Sequence, residues 1–480
     1  MSSIAFGFLG LFSFVFLISI VVVIHELGHY WAGRMCGVHA EAFSMGFGPT
    51  LVSWRDKHGT VWRIAALPLG GYVKFLGDAG AASEPDEDKL AEIRESMGAD
   101  ADKCYHFKPI WQRSFITAAG PIANFILAIT IFSILALSLG VNYTAPIVGE
   151  ARAGTAAADA GFAPGDRILS IDGKAVRRFR DITAEVSWRP DELMTFEIER
   201  DGAVRTVEIA SRMTTVTDSF EGERQVAQLG MAVPLSPVIG AVEAGGPAEQ
   251  AGFQSGDRIL SVAGQVVPTF QVVESAVRDA PLQPLTFEIE RDGAERVLVA
   301  SLPYRDISAE DAPRSRLISM TSTGAISEWH NFSLPQAIVY GADQTWAVVS
   351  MTSRYVSYVV TGRSPPSMLN GPLGIAEVAG QTAQNSVQAG RNAGESALLW
   401  LINMIQLAGF LSVGLGLVNL LPIPILDGGH LVYYAYEAVA RRPLSMKAQA
   451  IGFRVGLALV LGMMLLATWN DINYKLSQLF

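Results

Sequence analysis

The stretch "FLISIVVVIHELGHYWAGR", residues 16–34, passes from uninterrupted apolar sequence into two histidines and a glutamate with no linker between. Residues 5–24 carry no charged side chain, and about 20 such residues suffice to cross a hydrocarbon core roughly 30 Å thick. The start "MSSIAFGF" has no basic residue and nothing from His25 onward reads as a cleavage site, so a retained span is expected rather than a signal peptide. On a helix, positions four apart share a face, so His25 and His29 can grip one ion while Glu26 projects beside them. Two imidazoles with a nearby carboxylate describe a hydrolytic Zn2+ site. A charged group at mid-membrane costs about 2.5–3.5 kcal/mol, and such groups persist where they face a protein interior and carry chemistry.

The 480-residue chain around this stretch is 50% hydrophobic and only 17% charged, too apolar for an ordinary soluble protein. Three further windows, residues 115–139, 398–420 and 451–469, are long and apolar enough to span. The expected fold class is therefore a polytopic α-helical membrane protein with four transmembrane helices. A net charge of −10 argues against a nucleic-acid partner and leaves the lipid bilayer as the surroundings. Arg34, Lys108 and Arg113 flank the segment between the first two spans, and Arg441, Arg442, Lys447 and Arg454 mark the segment between the last two. Both segments are expected on the cytoplasmic side. Cys36 and Cys104 fall in that reducing compartment, and the long region from about residue 141 to 396 has no cysteine, so no disulfide framework is expected.

A catalytic zinc needs a third protein ligand and an open position for water. His39, His58, His106 and His330 lie in segments without a supporting pattern and read as surface or turn residues. Asp427, in "GLVNLLPIPILDGGH" (416–430), is the stronger candidate. Two prolines break the helix there, and the Asp-Gly-Gly turn can aim a carboxylate back toward the membrane interior. The first and third spans run in the same direction, so His25, His29 and Asp427 emerge at one face. His430 reads as a neighbour of the site. Asn419, eight residues before Asp427, suits amide recognition, with an interhelical hydrogen bond as the alternative role.

The external region contains an internal repeat. "GFAPGDRILSIDGKAV" (161–176) returns as "GFQSGDRILSVAGQVV" (252–267), and "TFEIERDGAVRTVEI" (195–209) returns as "TFEIERDGAERVLVA" (286–300). Alternating strand patterns broken by Gly-Asp and Asp-Gly turns describe one β-rich domain present twice. The block resembles the PDZ domains attached to bacterial envelope proteases, so two tandem PDZ (α+β) domains are expected between the second and third helices. Such modules accept an extended peptide as an added strand; a spacer or steric gate that binds nothing is the alternative. Residues 335–362 repeat Ile338, Val339, Ala342, Trp346, Val349, Val356 and Val360 at helical spacing with Asp343, Gln344, Ser350, Arg354 and Ser357 between, which reads as an amphipathic helix on the membrane surface. A fifth span there would put Asp427 on the wrong side from His25. Residues 39–78 alternate around a Lys-His-Gly turn, a small sheet or re-entrant hairpin against the membrane face. The acidic stretch 82–103 reads as a solvated insertion with a short helix.

"HELGH" in the first span, "AAGPIANF" (118–125) in the second, the tandem repeats and "NLLPIPILDGGH" (419–430) together resemble the site-2 protease family of intramembrane zinc metalloproteases, in its bacterial regulator-of-sigma-E protease branch. The resemblance covers essentially the whole chain. It implies Zn2+ held by His25, His29 and Asp427, Glu26 as catalytic acid and base, and Asn419 on the substrate backbone or the developing oxyanion. It also implies single-span membrane protein substrates, such as an anti-sigma factor already trimmed by an upstream site-1 protease, and remnant signal peptides. The PDZ pair would exclude uncut ectodomains by size. The place implied is the bacterial inner membrane, with the active site near the cytoplasmic side and the PDZ domains periplasmic. Two rivals remain: a PDZ-bearing scaffold or chaperone with structural zinc, for which Glu26 would have no use, and a zinc protease of soluble peptides. The expected partition begins with an N-terminal membrane region, residues 1–140, holding spans 5–33 and 115–139 and the cytoplasmic loop 34–113. PDZ domains 141–230 and 231–306 follow, then a linker with the surface helix over 307–395. A C-terminal membrane region, residues 396–480, holds spans 398–420 and 451–469.

Overall fold

Helix α1 (Ser3–Met35) is apolar around its whole circumference except at its C-terminal third, which is where the histidines lie. It stops at Gly37, whose φ of +71° lets the chain turn back so that the Val38 N–H reaches the Gly33 carbonyl at 2.8 Å. The computed structural model describes residues 3–78, 80, 87–96, 98–187, 189–218, 222–280, 283–301, 319–361 and 371–479. They form two units, Met1–Leu139 with Asn331–Phe480, and Gly140–His330.

In the first unit, strands β1 (Ala40–Arg55) and β2 (Val61–Phe75) follow α1 around a turn at Asp56–Thr60. Each is long enough to bend, at Gly46 and Gly48 in β1, both at positive φ. Residues 40–45 consequently pair with 71–75 on one side and, from Ala42, with 61–64 on the other, while 61–65 also pairs with 50–55. Residues 71–75 are thus left as an edge. Phe43, Val73 and Phe75 are buried against Tyr30 and Ile116 of the helices. A short helix α2 (Glu87–Ser96) precedes α3 (Ile110–Leu139), which continues through Pro121.

The second unit begins with β3 (Val141–Thr144), followed by α4 (Ala156–Asp159), β4 (Arg167–Ile171), β5 (Lys174–Ala175), α5 (Phe179–Ser187), β6 (Leu193–Arg200) and β7 (Ala203–Ala210). A hairpin, β8 (Arg212–Asp218) and β9 (Gly222–Gln228), leads to the second copy. That copy runs β10 (Ile239–Val242), α6 (Pro247–Gln250), β11 (Arg258–Val262), β12 (Gln265–Val266), α7 (Phe270–Asp279), β13 (Leu285–Arg291) and β14 (Ala294–Ala300). The sheets have matching orders, β5-β4-β6-β7 and β12-β11-β13-β14. The repeated "GDRIL" and "ERDG" words meet in space: buried Asp166 holds Arg200 Nε at 2.6 Å, and buried Asp257 holds Arg291 Nε at 2.6 Å. β15 (Met320–Ser322) pairs with β10, because an edge strand of the module is supplied by residues beyond 318, and β16 (Ser327–His330) closes on β3.

In the first unit again, α8 (Leu334–Val360) packs Gly341 so closely on α3 that a Cβ there would lie 2.3 Å from Ser133 Oγ. Helix α9 (Pro372–Ala389) packs on α1 and on α10 (Ala393–Asn419), with Ala379 and Ala383 fully buried. Two further helices, α11 (Asp427–Ala440) and α12 (Met446–Leu479), complete the unit. Among the described residues four helices are long and apolar enough to cross a membrane, over Phe8–Met35, Ile110–Leu139, Ala393–Asn419 and Lys447–Trp469. Leu17, Val21, Ala128, Phe132, Met404 and Ala408 form the core that holds three of them together.

Candidate metal centre

His25 and His29 stand one turn apart on α1, their rings 4.8 Å apart and nearly perpendicular at 84°. They face α3 at Gly120, and only glycine fits there: a Cβ would lie 2.3 Å from His29 Nε2 and 2.8 Å from His25 Cε1. The approach is equally close in return, since a Cβ on Gly28 would lie 2.3 Å from the Ala119 carbonyl oxygen. The two helices therefore touch backbone to backbone where the imidazoles are set. His29 Nδ1 lies 2.8 Å from the Ile116 carbonyl oxygen. A carbonyl only accepts, so Nδ1 carries the proton and Nε2 keeps its lone pair for an ion.

The third group arrives from the loop after α10. Pro422 and Pro424 supply no N–H, so α10 ends at Asn419 and a tight turn delivers α11 with Asp427 as its first residue. Gly428 and Gly429 let the turn fold onto the helix start, since a Cβ on either would lie 2.3 Å from a carbonyl oxygen, of Leu421 and Ile423 respectively. Asp427 Oδ2 then lies 3.2 Å from His25 Nε2 and 3.5 Å from His29 Nε2, with the two Nε2 atoms 3.2 Å apart. Ligands about 2.0–2.1 Å from a tetrahedral Zn2+ sit about 3.3 Å from one another. The triangle has the size such an ion requires. Asp427 Oδ2 is buried without a hydrogen-bond partner, an orphaned acceptor that a cation would satisfy. Among the described residues this is the one cluster of at least three His, Cys, Asp or Glu with metal-ligand spacing.

The triangle opens on a cavity of roughly 610 Å³. Glu26 lines it, its Cγ 3.2 Å from where a Cβ on Gly71 would stand, so the glutamate is set against the edge 71–75 of the sheet. Asn419 reaches the same centre, its Nδ2 3.3 Å from His25 Nε2. His430 lines the cavity as a neighbour, and burial lowers its imidazole pKa, favouring the neutral ring. The other histidines are elsewhere, and two differ from expectation: His330 is half-buried in β16 against the Tyr143 ring. His106 is neither a surface nor a turn residue: it is half-buried, 2.9 Å from the fully buried carboxylate of Asp78, which also accepts from the Phe75 N–H and so anchors the end of β2.

Several residues around the centre were not apparent in the sequence. Asn124, fully buried on α3, contacts His25 Nδ1 at 3.2 Å. Tyr105 bridges Thr117 and Tyr434 at 2.9 and 2.7 Å, tying the end of the sheet, where it stacks on Phe75, to α3 and α11. An Asn four residues after Gly120 in an apolar span was a usable signal for the first; nothing local marks the second.

Residues 13–463 match the family model described as Peptidase family M50. The chain is 40% identical over 468 residues to metalloprotease MmpA of Caulobacter vibrioides, covering 96% of this chain and 95% of that protein. It is 34% identical over 460 residues to an Agrobacterium fabrum protein named as a zinc metalloprotease, covering 96% and 94%. It is 31% identical over 476 residues to regulator of sigma-E protease RseP of Salmonella typhimurium, covering 96% and 98%. With a family match along nearly its full length, the chain belongs to peptidase family M50, the site-2 proteases, and is a membrane-embedded zinc metalloprotease.

Proposed function

We propose that the protein cleaves single-span membrane proteins within the bilayer, with His25, His29 and Asp427 holding Zn2+ and Glu26 as the catalytic acid and base. The observation that carries this reading is the 3.2, 3.2 and 3.5 Å triangle of donor atoms opening on a cavity that Glu26 also lines. When bound, zinc supplies Lewis acidity toward the scissile carbonyl and the water beside it. Glu26 takes a proton from the attacking water as the new C–O bond forms, then delivers it to the leaving amine nitrogen as the C–N bond breaks. Asn419, whose side chain points at the same centre, offers its amide N–H to the carbonyl oxygen as charge develops there.

A helical substrate keeps its carbonyls in internal hydrogen bonds and must unwind before it can be cut. Residues 71–75 form a sheet edge beside Glu26, and pairing along that edge would hold an unwound segment extended across the centre. A proline at Val73 would remove the edge donor, and unchanged cleavage in that variant would argue against the pairing. The two repeated modules of residues 140–330 are read as PDZ domains on the strength of their repeated words and shared sheet order. Their role here is a size filter against uncut ectodomains, with an anti-sigma-factor-type substrate trimmed first by a site-1 protease. The basic residues flanking the spans favour an inner-membrane topology with the metal centre near the cytoplasmic face and the repeats periplasmic.

The deciding experiment incubates purified protein with a single-span substrate and compares wild type with Glu26→Gln. The reading requires the variant to lose about 10²–10⁴-fold in rate, the usual contribution of a positioned acid or base, while retaining zinc. Cleavage persisting at the wild-type rate would overturn the assignment, and cleavage by neither protein would favour the scaffold.

A further inference from the structure

His25 has two ring nitrogens with different tasks, and the metal triangle accounts for only one of them. Nε2 faces His29 Nε2 and Asp427 Oδ2, which commits it to the centre. For Nε2 to offer a lone pair, Nδ1 must carry the ring proton and needs an acceptor. The group at Nδ1 is the side-chain amide of Asn124, 3.2 Å away and fully buried in the interface of α1, α3 and α10.

The amide is placed with Nδ2 toward His25 and with Oδ1 buried without any hydrogen-bond partner. That orientation sets two donors against each other and leaves an acceptor facing no donor. Amide oxygen and nitrogen are told apart only by their hydrogen bonds. Exchanging them puts Oδ1 on the Nδ1–H of His25 and moves the NH2 group to the side where no donor competes. We infer that Asn124 is a positioning residue for the metal centre, accepting a hydrogen bond from His25 Nδ1–H and so fixing the tautomer and ring plane in which Nε2 can ligate zinc. The inference rests on the zinc reading of the centre.

The surroundings hold Asn124 in that role. Ser412 on α10, also fully buried, donates to the Asn124 backbone oxygen at 2.9 Å. Gly416, one turn further along α10, brings that helix close enough that a Cβ would stand 3.4 Å from Asn124 Cβ. Leaving a polar amide unpaired in a membrane interior is costly, so its retention at zero exposure calls for a partner. His25 receives from Asn124 what His29 receives from the Ile116 carbonyl, and both histidines then present the same nitrogen to the centre.

The test titrates Zn2+ from a chelator-buffered solution into full-length protein in detergent, for wild type, His29→Ala, Asn124→Asp, Asn124→Leu and Ser412→Ala. Outer-shell partners of metal-binding histidines are worth about 10–100-fold in affinity. Asn124→Leu, similar in size but without an acceptor, is expected to weaken zinc binding by about that factor. Asn124→Asp keeps an oxygen on Nδ1–H and is expected to bind within about threefold of wild type; loss in the Leu variant with retention in the Asp variant is a pattern that a packing role, served by either side chain, would not give. Leu binding as tightly as wild type would overturn the inference, as would Asp losing as much as Leu. Ser412→Ala disturbs the same helix contact without touching His25, and a loss of affinity there equal to that of the Leu variant would assign the effect to packing and overturn it too. Should Asn124→Leu not fold, Asn124→Ala, which also lacks an acceptor, takes its place beside the Asp variant. Wild type that bound no zinc, or His29→Ala that bound it unchanged, would sink the underlying zinc reading instead, which separates the two failures.

Discussion

The centre leaves almost no spare room, and Gly120 is the residue at which that tightness can be measured. A methyl group there would stand 2.3 Å from His29 Nε2, far inside van der Waals contact, and the ring cannot retreat without breaking its 2.8 Å bond to the Ile116 carbonyl. Gly120→Ala is therefore expected to lower zinc occupancy and reduce cleavage by at least about 10-fold, the scale seen when a metal-binding histidine loses its orientation. Gly414→Ala is the matched control, because a Cβ at Gly414 on α10 would meet nothing within 4 Å and should change neither quantity. Metal analysis of the two purified variants checks this; full occupancy in Gly120→Ala would mean that α1 and α3 separate more easily than their backbone contact implies.

Among the elements, the sheet edge beside Glu26 is only as well placed as the turn that organises it. Asp56 accepts from the backbone N–H groups of His58 and Thr60 at 2.8 and 3.0 Å, from Trp62 Nε1 at 3.0 Å and from the Tyr30 hydroxyl at 3.2 Å, the last tying the turn to α1. Burial acts to raise its carboxyl, but the bonds from Trp62, His58 and Thr60 outweigh it and leave the pKa at about 2. A carboxyl depressed on folding stabilises the fold above its unfolded value of about 3.9 and stops doing so as pH falls through about 2. The turn should accordingly be indifferent to pH between about 5 and 8, while Asp56→Ala should weaken it by about 1–2 kcal/mol, seen as faster amide exchange over residues 61–75. In the second unit the pair Asp257–Arg291 has the carboxylate 1% exposed. Arg291→Met would strand a buried charge, a loss of about 3–5 kcal/mol, and should lower the melting temperature of the repeats without altering zinc binding. These modules were the most legible region of the sequence, because the buried Asp and its Arg recur as words at one spacing. Helix α9 was not legible. Its "AEVAGQTAQNSVQA" mixes small and polar residues, and its buried face, Ala379, Ala383 and Ser386, is defined by the neighbouring helices, with Ser386 accepting from Asn403 of α10.

Across the whole chain, the four spans and the meeting of His25, His29 and Asp427 followed from apolar windows, parity and the Pro-Ile-Pro break before Asp427. The groups that touch their other ring nitrogens did not: the Ile116 carbonyl and Asn124 are brought to His29 and His25 by backbone approach and side-chain geometry, which spacing alone does not report. Joining two ends of the chain at one ion, as proposed above, would have a consequence for stability. The donors lie on α1 and on α11, so an ion bound to all three favours only states in which those helices are packed together, and it stabilises the first unit by mass action, about 4 kcal/mol when free zinc is a thousandfold above its dissociation constant. The unit Gly140–His330 contributes no donor to the cluster and has hydrophobic cores of its own. Stripping zinc from the full chain with a chelator should lower the melting transition of the first unit and leave that of the second in place. Following the first by amide exchange within α3 and α10 and the second by amide exchange within β6 and β13 distinguishes them. A chelator that shifted both transitions equally would mean that the units unfold as one, and one that shifted neither would mean that the histidine and aspartate helices are held together without the metal.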